Sequence, residues 1–222
     1  MSERLFFTDT EGRNDALTFA SRAARLLDPV VRLQAAGGAM AMTAAALTPR
    51  NLLDTTPTVL AMRVVAVDPE LECDVTVDAA QLAAEPGQAA IVLPESGVRA
   101  AWAGIAPPRG GWSESATLDA ASLAARAADG MARVASALPA DACEEIVQSV
   151  RASVWGESIE EWGGLALGVA FAAVALGFIS GAESARVFTS GPWTRVSLSR
   201  GHLLVRGPVA MGLTAIRRTG GA

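Results

Sequence analysis

The chain has no lysine and no tyrosine, and only one histidine and two cysteines in 222 residues, so much of the usual chemistry of enzymes is closed to it. All 18 basic residues are arginine, which keeps its proton under ordinary conditions and serves neither as a general base nor as a Schiff-base amine. Pyridoxal chemistry, lysine-dependent phosphate loops and lysine aldolases are thereby excluded. One imidazole and two thiols fall short of the four ligands of a structural zinc site, so no metal is expected. Cys73 and Cys143 show no C-x-x-C spacing and fall on apolar positions, where buried reduced thiols are expected. No G-x-G-x-x-G, Walker A, H-E-x-x-H or EF-hand pattern occurs, and no cofactor is expected. Glu144/Glu145 and Glu160/Glu161 are neighbours in helix-like segments, where successive side chains splay by about 100° and do not converge.

What is present is a folded, alanine- and valine-rich chain, 51% hydrophobic and 18% charged. Its length suits one substantial domain or two small ones. The N-terminus lacks the 7–15-residue apolar core of a secretory signal, so a cytoplasmic location is expected. Charge is unevenly spread. Residues 184–222 hold Arg186, Arg195, Arg200, Arg206, Arg217 and Arg218 with no acid, a charge of +6. Residues 1–183 hold twelve arginines against 23 acids, a charge of −11, and together they give the overall −5. A basic C-terminal surface could face an anionic partner or the acidic remainder of the chain.

Leu17, Ala20, Ala24 and Leu27 recur at helical spacing and predict an amphipathic helix over 14–27, capped by Asn14 or Asp15 and stopped by Asp28-Pro29. Gly37-Gly38 then separates two β-like runs, 30–36 and 39–46, as a tight hairpin would. Runs at 58–67 and 71–77 flank Asp68-Pro69-Glu70, and the second alternates apolar and polar residues as a strand with one wet face does. The stretch 105–112, rich in proline and glycine, is the candidate linker between a region 1–105 and a region 113–222, which could still share one core. Helices are expected over 117–138 and 141–154.

Between Glu161 and Glu183 there is no charge, and Ser158-Ile159-Glu160-Glu161 has the form of a capping box. This predicts one helix, apolar all round, with Trp162, Leu165, Val169, Ala172, Leu176 and Ile179 on one stripe. Acidic flanks and a high glycine and alanine content argue against a membrane span and for a buried central or dimer-interface helix. Self-association is therefore expected.

Beyond it lie three β-like runs, 186–190, 193–199 and 202–206. Taking Arg200-Gly201 as the hairpin loop sets Leu198 opposite Leu203, Val196 opposite Val205, Ser199 opposite His202 and Arg195 opposite Arg206. Two facing guanidiniums would attract an anion, either a carboxylate or a phosphate. A winged-helix reading is weakened because the preceding segment offers no side chain to read bases. His202 beside Ser199 lacks the setting of a nucleophile elbow, and no catalytic residue is expected.

The segments Arg22-Ala23-Ala24-Arg25-Leu26-Leu27-Asp28-Pro29-Val30-Val31-Arg32-Leu33 and Gly191-Pro192-Trp193-Thr194-Arg195 resemble recurring stretches in a group of uncharacterised actinomycete proteins with no assigned activity. The resemblance implies a shared fold and source, and no function. The sequence thus predicts an α+β protein: an antiparallel β-meander plus helices, with a C-terminal β-hairpin. Its expected role is non-catalytic binding of an acidic protein or a nucleic-acid backbone through Arg195, Arg206, Arg200 and Arg186. An enzyme for an anionic metabolite, using Asp74 or Asp78 as base, and a structural subunit of an oligomer are the alternatives.

Overall fold

The computed structural model of the chain describes residues 4–51 and 53–207. Arg217 and Arg218 lie outside the described residues. In chain order the elements are β1 (Arg4–Phe6), α1 (Thr10–Ala23), β2 (Val30–Ala36), β3 (Ala39–Leu47), β4 (Thr58–Ala66), β5 (Cys73–Asp78), β6 (Ala83–Ala84) and β7 (Ala90–Val92). There follow β8 (Ser113–Asp119), α2 (Ala120–Ala137), α3 (Glu144–Trp155), β9 (Ser158–Ile159), β10 (Leu165–Ala166), α4 (Gly168–Ala175), β11 (Ser184–Ser190), β12 (Trp193–Leu198) and β13 (Gly201–Arg206). The protein is α+β, with every strand pairing antiparallel.

Eight strands form one sheet in the order β5-β2-β3-β4-β13-β12-β11-β8. Gly37 and Gly38, both at positive φ, close the β2–β3 hairpin with the handedness that a two-residue turn needs. The meander β2-β3-β4 then breaks: β5 crosses back to the far side of β2, pairing Val77 with Val31. At the centre β4 meets β13, with Val59 opposite Val205 and Ala61 opposite Leu203, so strands from the two halves of the chain share a single ladder.

Strand alternation gives the sheet two unlike faces. On the inner face Met40, Met42, Ala44, Ala61, Val196 and Leu203 are fully buried and belong to one core cluster with residues of α1, α2 and α4. Helix α1 begins earlier than its sequence suggests. Asp9 is the cap, its carboxylate accepting from the Gly12 amide at 2.7 Å, so Asn14 and Asp15 lie within the helix rather than at its start.

The uncharged run is not one long helix. Gly163 and Gly164 stand at φ +67° and +87°, conformations that end any right-handed helix, and only Gly168–Ala175 is helical. Ser158 makes no capping box: β9 pairs with β10, and its hydroxyl donates to the Gly164 carbonyl at 3.1 Å. Val169, Ala170, Ala172 and Ala173 of α4 are fully buried within this one chain, which makes the helix a central element of its core, while Val174 stays exposed. Among the described residues no helix is long and apolar enough to cross a membrane. The cysteines also depart from expectation: Cys143 is exposed at the start of α3 and Cys73 is half-buried on β5.

Candidate anion-binding face

The outer face of the same sheet carries the candidate residues. Alternation places Arg186 and Phe188 of β11, Trp193, Arg195 and Ser197 of β12, and His202, Leu204 and Arg206 of β13 on that side. The stretch 98–112 lies against it instead of hanging free. Trp102 packs with Ala45, Leu60, Trp193 and Leu204, and Ile105 and Trp112 press on this second cluster. Trp102 Nε1 donates to Asp28 Oδ2 at 2.6 Å, and Trp112 Nε1 to the Pro108 carbonyl at 3.0 Å.

The expected register of the last hairpin is corrected by one turn position. Leu198 pairs with Gly201, so Ser199-Arg200 is the loop, and Arg195 faces Leu204 while Arg206 faces Trp193. The two guanidiniums share a face without standing opposite each other, and His202 lies across from Ser197, not Ser199. Two contacts explain the shift. A Cβ on Gly201 would come within 2.5 Å of the Phe178 ring, so that glycine serves close packing and not the turn. Glu183 also pins the loop, its two carboxylate oxygens accepting from the Ser180 amide at 2.7 Å and the Ser199 amide at 2.9 Å.

Arg195 is held between two rings, its Cζ 4.7 Å from the Trp112 centroid and 4.6 Å from that of Phe188. Arg186 lies over the same Phe188 at 4.9 Å. Such stacking orients a guanidinium and leaves its edge for other partners. The two arginines differ in what that edge meets. Arg186 forms a two-bond pair with Glu114, whose carboxyl is held below its usual range by that contact. Arg195 forms no salt bridge among the described residues, and its Nε is buried without an acceptor. Burial, followed by the charge of Arg186, lowers the Arg195 pKa. His202, with Nδ1 3.0 Å from Ser197 Oγ, is likewise pushed down by burial and then by Arg195 and Arg63, which favours the neutral ring.

Beside Arg195 runs a groove of about 490 Å³ floored by Ala41, Met62, Val64 and Leu204, with Trp112 and Arg109 on its rim. Arg206 is half-exposed on the same face. Arg200 is not part of this group. It sits in the β12–β13 loop, where its carbonyl accepts from Arg63, and its side chain lines a separate cleft of about 650 Å³ beside α1. Phe188 is signalled by its two-residue spacing from Arg186, which puts both on one strand face, whereas nothing local points to Trp112. Asp74 lines the same groove but is already held: Arg32 donates to both its oxygens at 2.8 Å and Gln34 to one at 3.2 Å, which lowers its pKa. Asp78 caps the Ala80 amide at 2.9 Å. The lowered pKa of Asp74 makes it a weak base near neutrality.

Residues 1–104 match the family described as Domain of unknown function (DUF8010), and residues 107–210 match Domain of unknown function (DUF8185). Each match spans just under half of the chain, and the two together cover most of its length. The two DUF matches meet inside the stretch 98–112, on the outer sheet face. No curated protein matches the sequence. Solved structures similar to this chain include DNA polymerase sliding clamps. One is the clamp of Bartonella birtlesii bound to griselimycin, at 11% identity and a TM-score of 0.49, with 93% of this chain and 65% of that chain covered. Another is from Caulobacter crescentus, at 14% identity and 0.45, covering 99% and 69%. A third is from Pseudomonas aeruginosa with ligand, at 11% identity and 0.47, covering 99% and 68%. The chain spans about two thirds of the length of these clamps.

Proposed function

We propose that this chain is a non-catalytic binding protein whose outer sheet face receives an acidic protein segment, with Arg195 as the central contact. The observation that carries the reading is the state of Arg195: stacked between Trp112 and Phe188, desolvated at Nε, and without a carboxylate among the described residues. Arg4, Arg32, Arg50, Arg63, Arg126, Arg133 and Arg186 each have one. A partner carboxylate would complete its hydrogen bonds, and such charge-assisted bonds are the stronger kind. The adjoining apolar groove favours a peptide over a nucleic-acid backbone, because it suits an aliphatic or aromatic anchor next to the acid. Arg109 and Arg206 would supply the rim charge, and Arg186 would act through Phe188.

A labelled peptide alternating glutamate with leucine tests this by fluorescence anisotropy, with an oligothymidylate of similar length alongside. The peptide should bind, more weakly as salt rises, and Arg195→Gln should weaken it tenfold or more while Arg186→Gln changes it less than threefold. Tighter binding of the oligonucleotide would replace the partner class, and no binding of either would remove the reading.

Self-association is a second reading, supported by β8. Among the described residues this seven-residue strand ends the large sheet, pairs only with β11, and is exposed at six of its seven positions. Open edges of this kind invite a further strand. Sedimentation of Ala116→Pro, which removes an edge amide, should show loss of any dimer seen in the wild type.

A further inference from the structure

We propose that a second cavity, between α3 and the end of β3, binds a short aliphatic monocarboxylate. The cavity measures about 150 Å³ and is lined by Arg151, Gln148 and Ala152 of α3, by Leu47 at the end of β3 and Arg50 beyond it, and by Leu27 and Asp28. Arg151 is the decisive group. Its Cζ lies 5.0 Å over the Phe171 ring, which stacks in turn on Trp155 at 4.8 Å. One planar side of the guanidinium is thereby covered. Its Nε is buried without an acceptor, and no salt bridge reaches it among the described residues. Arg50, across the cavity, is in contact with Asp54 at 3.5 Å. Burial alone lowers the Arg151 pKa, so a bound counter-charge would recover what desolvation costs.

Three features narrow the ligand. A guanidinium presents its N–H groups as a flat fork, which matches the two oxygens of a carboxylate. Asp28 stands in the same wall, its Oδ2 accepting from Trp102 at 2.6 Å, and this like charge disfavours a dianion such as phosphate more than a single negative charge. Leu27, Leu47 and Ala152 make the remaining wall apolar, suited to a short alkyl chain. The volume lies below the range of about 300–1,000 Å³ usual for drug-sized ligands, which excludes a nucleotide or a large cofactor. The site is independent of the Arg195 face.

Calorimetric titration of the full chain with sodium butyrate, at ionic strength held constant with chloride, tests the assignment. Saturable binding is expected in the wild type. Arg151→Gln should weaken it at least tenfold, Arg195→Gln should leave it unchanged, and inorganic phosphate should bind at least tenfold more weakly than butyrate. If Arg151→Gln fails to fold, Arg151→Lys keeps the charge without the fork and should weaken butyrate severalfold. The proposal is overturned by an absence of saturable butyrate heat, by equal binding of phosphate, or by unchanged affinity in whichever Arg151 variant folds.

Discussion

Gly130 sits inside α2, where alanine would ordinarily be the better residue by about 1 kcal/mol. Here the sign should reverse. A Cβ at this position would stand 2.2 Å from Cζ3 and 2.6 Å from Cη2 of Trp155, against the 3.5–4.0 Å of a comfortable carbon contact. The indole cannot swing aside, because it is 1% exposed and stacked on Phe171. Overpacking of this kind costs about 1–3 kcal/mol, and an overlap this deep belongs at the upper end. After the helical gain is subtracted, Gly130→Ala should destabilise by about 2 kcal/mol. For a chain of this size each kcal/mol is worth roughly 2–4 °C, so the thermal midpoint should fall by about 4–8 °C. Urea melts of Gly130→Ala, Trp155→Phe and the double variant complete the test, since a smaller ring should absorb much of the cost and reveal a coupling between the sites. A rise in stability on Gly130→Ala, or the same loss in the Trp155→Phe background, would refute the argument.

Two further predictions concern acid. Burial works to raise the Asp54 pKa, but hydrogen bonds from the Arg50 and Thr56 amides, both 2.9 Å, outweigh it and bring the group to about 2. The resulting stability, about 2 kcal/mol by linkage, is complete above the unfolded value near 4 and lost as pH falls toward 2; Asp54→Asn should flatten that part of a pH–stability curve measured by urea melts. His202 is lowered by burial and by Arg195 and Arg63, so its unfolded form takes up protons first. Stability should therefore fall as pH drops below about 6.5, and His202→Gln should lessen the change in midpoint between pH 7.5 and 5.5.

The parts of the fold legible in the sequence are those with local causes. The β-like runs located β11, β12 and β13, though not the register of the last hairpin, and Gly37-Gly38 marked its own hairpin. What failed depended on partners remote in sequence. The role of Gly201 is set by Phe178 and that of the Ser199 amide by Glu183, and neither contact leaves a trace in the local pattern. The run from Trp162 to Ile179 reads as one helix because periodicity takes no account of left-handed glycines at its start. Strand β8 escaped notice because an edge strand exposed on both faces has no alternation to show. At the candidate site the arginines were visible, whereas Trp112 reaches Arg195 from a stretch whose prolines and glycines suggest a tether.

The β4–β13 seam bears on how such a chain can be inherited or dissected. Severing the polypeptide within 105–112 would leave each fragment with half a ladder, Thr58–Met62 on one and His202–Arg206 on the other, and its amides and carbonyls would face water beside stripped apolar surface. Neither fragment should keep well alone, and the two should re-form the sheet when mixed. Continuity of the chain through 105–112 thus keeps each raw edge beside its match from synthesis onward.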